Sequence, residues 1–149
     1  MMDVNEQIVA TWAEKSQSLF LITELYFGNR HNDIDLLGVN LIKEEIWDIE
    51  VKVRTGSTNM CANDFNAIID NFENEERELA IKERIGASKF PRKRILIISD
   101  SYLGRWEGRF REKGLEVIPL SKVMQDLLEI AKSERKSMNP IIQTLRLGT

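Results

Sequence analysis

Glu50 and Lys52 stand two residues apart in Ile49-Glu50-Val51-Lys52-Val53-Arg54, and Asp35 stands upstream in Asn32-Asp33-Ile34-Asp35-Leu36-Leu37-Gly38. In an extended strand alternate side chains share a face, so Glu50 and Lys52 point the same way, about 7 Å apart along the chain. If Asp35 lies on a neighbouring antiparallel strand, two acids and one amine converge on one surface. Paired carboxylates can hold a divalent cation that keeps several waters, and a nearby amine can orient one of those waters. Without a cation the acids repel and one is pushed toward protonation, which Lys52 partly offsets. The plainer alternative is a solvated strand face carrying a cross-strand ion pair.

The alternation runs further than three residues. Ile46, Asp48, Glu50, Lys52 and Arg54 share one parity, and Trp47, Ile49, Val51 and Val53 share the other. One face is nearly all charged and the other apolar, which is the periodicity of a strand.

The combination of Asp35 in Ile-Asp-Leu-Leu-Gly with Glu50 and Lys52 in Ile-Glu-Val-Lys-Val-Arg resembles the PD-(D/E)XK nuclease superfamily. This is the restriction-endonuclease-like fold, which includes the Holliday-junction resolvases. The motif covers about the first 55 residues, and the remainder agrees only in the order of elements. Ile34 stands where the family usually has proline. The resemblance implies a metal-dependent endonuclease, with Mg²⁺ (or Mn²⁺ in its place) held by Asp35, Glu50 and the Val51 carbonyl. Lys52 would position the attacking water and stabilise developing negative charge. It also implies an extra glutamate on the first helix, for which Glu6 in Glu6-Gln7-Ile8-Val9-Ala10 qualifies. A catalytically inactive member of the fold, serving as a binding or assembly module in a DNA-processing or defence system, is the alternative.

Other residues read two ways. Glu6 is either an additional ligand or an exposed first-turn acid favoured by the helix dipole. Arg54 extends the Lys52 face and either contacts a phosphate or pairs with Asp48. Asp33 either joins the metal shell or is a loop acid. His31, the single histidine, reads as an exposed loop residue beside a turn. Arg105, Arg109 and Lys113 fall four apart, so on one helix they form either a phosphate-tracking ridge or a solvated face.

These residues need elements to position them. A helix reaches to about residue 17, capped by Asp3 or Asn5, with Val4, Ile8 and Trp12 near helical spacing. Strands over 19–27, 33–41 and 46–54 are joined by Gly28-Asn29-Arg30 and Lys43-Glu44-Glu45, which favours an antiparallel meander. A long helix over 63–85 follows, stopped by Gly86, and its acid-rich stretch 70–78 reads as exposed. The run Ile95-Leu96-Ile97-Ile98 reads as a buried strand within 94–99. A helix over 102–113, a strand over 115–119 and a helix over 121–132 capped by Ser121 complete the order αβββαβαβα. The expectation is an α/β (α+β) domain with a central mixed sheet flanked by helices. Its domain is residues 1–132, and 133–149 forms a C-terminal appendage with a short helix begun at Pro140.

Composition narrows the classes. The chain has 149 residues, enough for one domain with a sizeable core, and is 42% hydrophobic and 30% charged. No apolar run has the length of a membrane span, and the amino terminus lacks the apolar core of a signal peptide. Cys61 is the only cysteine, which excludes an internal disulfide and a multi-cysteine zinc site. An intracellular, reducing, cytoplasmic setting is the expectation. A formal charge of −3 is not the basic balance of a typical duplex binder. Residues 89–113 nevertheless carry eight basic side chains against three acidic ones. The expected partner is DNA, duplex or branched, with a homodimer or a protein partner supplying target choice and no membrane.

Overall fold

The computed structural model describes residues 3–22, 26–27, 32–54, 59–86, 88–133 and 139–147. Helix α1 (Val4–Lys15) begins with a reciprocal capping box. The Asp3 side chain accepts the Glu6 N–H at 2.8 Å, and the Glu6 carboxylate accepts the Asp3 N–H at 3.3 Å. Then come β1 (Leu19–Ile22), β2 (Tyr26–Phe27), β3 (Asn32–Asp33), β4 (Leu36–Asn40) and β5 (Glu45–Lys52). Helices α2 (Ala62–Glu73) and α3 (Glu75–Ile85) lead into β6 (Arg92–Ile98). The rest is α4 (Asp100–Leu103), α5 (Glu107–Glu112), β7 (Leu115–Pro119), α6 (Leu120–Ser133) and α7 (Pro140–Leu147).

The main sheet has five strands in the order β1-β4-β5-β6-β7. Its first three form an antiparallel meander, while β5, β6 and β7 run parallel through helical crossovers. The domain is therefore α+β, a five-stranded mixed sheet flanked by helices. β6 explains its own apolar run: Ile95, Leu96, Ile97 and Ile98 are all fully buried, as a parallel strand covered on both faces requires. Ile95 and Ile97 join Trp47, Ile49 and Leu36 against α1, α6 and α7. Leu96 and Ile98 join Leu115 and Val117 under Phe65, Ile68, Ile69 and Phe72 of α2 and Phe110 of α5. A smaller cluster sets Ile34, Leu37 and Ile46 against Ile81 of α3. Gly38 lets β4 lie close to β1, because a Cβ there would meet the Leu19 side chain at 3.1 Å.

Five expected elements come out differently. Residues 19–22 and 36–40 join the main sheet as β1 and β4, whereas β2 and β3 pair with each other in a separate two-stranded sheet. The long helix over 63–85 is two helices. Asn74 sits between them in an extended conformation (φ −63°, ψ 128°), and its side chain caps α3 by accepting the Glu76 and Arg77 N–H groups. The helix over 102–113 is also two, because Gly104 takes φ 50° and Trp106 restarts the turn. The last long helix starts at Leu120 rather than being capped by Ser121; the Ser121 N–H and hydroxyl instead donate to Asp100 at 3.1 and 2.6 Å.

The appendage packs back onto the domain: Ile142 is fully buried in the same cluster as Val123 and Leu127, and Leu145 lies against it. His31 and the Gly28-Asn29-Arg30 turn lie outside the described residues, as does the side chain of Asp33. No helix among the described residues is long and apolar enough to cross a membrane.

A candidate active site at the end of the third sheet strand

The site forms where the meander meets the first parallel strand. In the β4–β5 ladder Leu36 pairs with Ile49, so Asp35, one residue beyond the ladder, lies opposite Glu50. The chain bends at Asp35, and its Oδ2 accepts the Val51 N–H at 2.8 Å. That bond ties the acid to the backbone between Glu50 and Lys52. Glu6 arrives from the first turn of α1, which is held against the sheet by Val9, Trp12 and Ala13. A further clamp is the Trp12 Nε1–H, which donates to Asp126 Oδ2 of α6 at 3.0 Å. Asp35 also lies close enough to Glu6 and to Glu50 for its charge to act on both carboxyls. Like charges held near one another favour a proton on one of them.

The electrostatics agree. Burial, then the charges of Asp35 and Asp3, raises the Glu6 carboxyl to about 7. Burial raises Glu50 to about 8; Arg77 opposes this, and Asp35 adds to it.

The charged face of β5 is not solvated. Asp48 is 1% exposed and Glu50 2%, both covered by α3. There Arg77, with no exposed surface, donates from Nε to Asp48 Oδ2 at 3.3 Å and from Nη2 to Asp48 Oδ1, while Nη1 reaches Glu50 Oε1. Burial pulls the guanidinium down, but Glu50 and Asp48 more than offset this and hold it above its ordinary range. Asp48, gripped at both oxygens, is the main counter-ion; Glu50 is held at one oxygen. This corrects two readings of the sequence: Arg54 does not pair with Asp48, and the stretch 70–78 is not wholly exposed. The overlooked residue was Arg77. Its signal was indirect: two acids alternating on a strand flanked by buried residues demand a buried cation.

Lys52 is half-buried at the end of β5, where its carbonyl accepts the Ser99 N–H at 3.1 Å. Its side chain lines a cleft of about 220 Å³ with Arg54, Asp64, Ala67, Ile68, Asn71 and Tyr102. The Arg54 N–H donates to Ser99 Oγ at 3.0 Å, and its guanidinium lies 5.6 Å from the Tyr102 ring centre. The basic ridge does not form on one helix face. Arg105 lies in the turn after α4 and Lys113 ends α5, because Gly104 breaks the helix; Arg109 covers the Trp106 ring at 4.8 Å.

Glu6, Asp35 and Glu50 supply hard oxygen donors, the kind that suits a divalent cation keeping most of its waters. They are not arranged as a closed cage: among the described residues no group of three or more His, Cys, Asp or Glu could hold a metal ion as it stands. A two-carboxylate site formed by Asp35 and Glu50, completed by water, fits the donors present. A soft or all-protein site does not. Compared with known proteins, the chain matches no protein-family model, no curated protein and no solved structure.

Proposed function

We propose that the protein is a metal-dependent nuclease of the restriction-endonuclease-like type, which hydrolyses DNA phosphodiester bonds through Asp35, Glu50 and Lys52. The observation that carries this reading is the junction itself. Asp35 bonds the Val51 amide and its charge acts on the Glu50 carboxyl, and Lys52 follows on the same strand face, lining a cleft. Support for the fold comes from the antiparallel meander followed by parallel crossovers in the order β1-β4-β5-β6-β7. The helix before the meander carries Glu6 to the same place, which also agrees with the reading.

The roles follow from position. Mg²⁺, when bound, would supply a Lewis acid and a water of lowered pKa. Asp35 offers an oxygen oriented by the Val51 N–H. Glu50 offers one beside the oxygen held by Arg77. Lys52 faces the cleft, where its ammonium orients a water and stabilises negative charge as it develops on a phosphate. Glu6, poised near neutrality, holds or releases a proton beside Asp35.

The test is nicking of plasmid DNA by purified protein with Mg²⁺ or Mn²⁺, comparing wild type with Lys52→Ala and Glu50→Gln. Loss of nicking in both variants, with unchanged circular dichroism, supports the reading. Equal nicking in all three proteins would attribute it to a contaminant. Glu50→Gln is preferable to Glu50→Ala, since the amide oxygen still meets Arg77.

One observation favours a second reading, a non-catalytic module of the same fold. Arg77 already meets Asp48 and Glu50, so these two buried acids have a cation without an added metal. A protein that neither nicks DNA nor binds Mn²⁺ calorimetrically is that module.

A further inference from the structure

We infer that the cleft beside Lys52 receives one unpaired nucleotide of a nucleic-acid strand, with its base against Ala67 and Ile68 and its phosphate toward Lys52 and Arg54. The inference rests on the nucleic-acid reading above and adds to it a substrate class: strands with an unpaired position rather than continuous duplex.

The walls of the cleft differ in chemistry. One wall is a single stripe of α2, with Asp64, Ala67, Ile68 and Asn71 at positions i, i+3, i+4 and i+7. Its middle is apolar and its ends are a carboxylate and an amide. A flat ring with polar edges matches that order, because bases held outside a duplex are read by contact on their faces and hydrogen bonds at their edges. Lys52 at the end of β5 and Arg54 just beyond it add two cations to the lining. Cations in this position suit the strand's phosphate. Tyr102, 3% exposed, completes the lining. Its ring centre lies 5.6 Å from the Arg54 guanidinium, which sets Arg54 beside the cleft.

Size and charge restrict the occupant. About 220 Å³ is smaller than the ~300–1,000 Å³ typical of sites for drug-sized ligands. It admits one ring system and excludes a base pair. Asp64 in the lining disfavours a bare anion and favours a ligand that also brings a hydrogen-bond donor, as an exocyclic amino group does. Its carboxyl is held below the usual range, chiefly by the Cys61 N–H and then the Cys61 thiol, so it stays an acceptor near neutral pH.

The experiment uses the full, ¹⁵N-labelled chain in EDTA, titrated in parallel with dAMP and with inorganic phosphate. Expected are saturable amide shifts at Lys52, Arg54 and along 64–71 with dAMP, and binding of phosphate weaker by about tenfold or more. Ala67→Trp fills the cleft and should weaken dAMP by a similar factor; Asn71→Leu makes the same test should the larger substitution disturb the fold. In anisotropy measurements, also in EDTA, a short duplex with one bulged adenine should bind about tenfold tighter than the same duplex fully paired. Shifts elsewhere or none, equal binding of phosphate, indifference to both substitutions, or equal affinity for the two duplexes would each overturn the inference. The assay scores no cleavage. A protein that binds dAMP here yet never cuts DNA therefore refutes the nuclease reading alone, and one that cuts DNA but fails these tests refutes the cleft alone.

Discussion

Asp35 Oδ2 accepts the Val51 N–H at 2.8 Å, so an acid from the loop before β4 is bonded to the backbone between Glu50 and Lys52. This separates charge from structure in a single side chain. Asp35→Asn keeps an acceptor for the amide and should remain within about 1 kcal/mol of wild type in urea unfolding. It should nevertheless lose Mn²⁺ binding by calorimetry. Unchanged Mn²⁺ affinity would remove Asp35 from any metal site. Asp35→Ala also strands the amide and should be less stable than Asp35→Asn.

Arg77 is the structural price of placing Asp48 and Glu50 under α3. Arg77→Met should lower stability by about 3–5 kcal/mol, since it leaves the buried Asp48 without its cation and Glu50 without its donor. Arg77→Lys should rescue little, because an ammonium cannot span both oxygens of Asp48 and reach Glu50 as well. Combining Asp48→Asn with Arg77→Met should cost less than the sum of the two, because the second change removes a charge the first left unpaired. A loss near zero for Arg77→Met would mean that water reaches the pair.

The raised carboxyls give stability a definite pH dependence. The native chain holds protons on Glu6 to about 7 and on Glu50 to about 8, whereas the unfolded chain releases them near 4.5. Between those values the native state binds more protons, so stability is fully present below the unfolded value and is lost as pH rises toward 7 and 8. The melting temperature should therefore fall from pH 5 to pH 8. Glu6→Gln, which mimics the protonated form, should flatten the lower part of that fall. An unchanged slope in the variant would place the Glu6 proton elsewhere.

Ile142 brings α7 into the main core, fully buried against α6. Ile142→Ala should cost about 2–5 kcal/mol in chemical denaturation, as for other buried aliphatic truncations. Removal of residues 139–149 should broaden or abolish the cooperative transition. Little change in either variant would mark α7 as dispensable.

Much of the architecture was legible because it depends on short-range pattern. Strict alternation over 46–54 identified β5, the four-residue apolar run identified β6, and a cap at Asp3 or Asn5 bracketed the start of α1, which the structure puts at Asp3. Short connections and a strand-helix-strand order were enough to anticipate a mixed sheet with a meander. The helix breaks were harder. Asn74 and Gly104 are tolerable inside helices, and only packing of α2 and α4 on β6 decides that they terminate them.

The amino-acid order alone determined which side chains share a strand face, since pleating sets parity locally: Glu50 with Lys52, and both with Asp48. Tertiary structure decided everything that depends on which surface covers that face. It set Arg77 over Asp48 and Glu50, Asp35 on the Val51 amide, and the α2 stripe in one cleft with Lys52. The reason is distance along the chain. Arg77 is 27 residues from Glu50 and Asp35 is 16 from Val51, and no periodicity reaches across such gaps; burial of the sheet under helices brings these groups together.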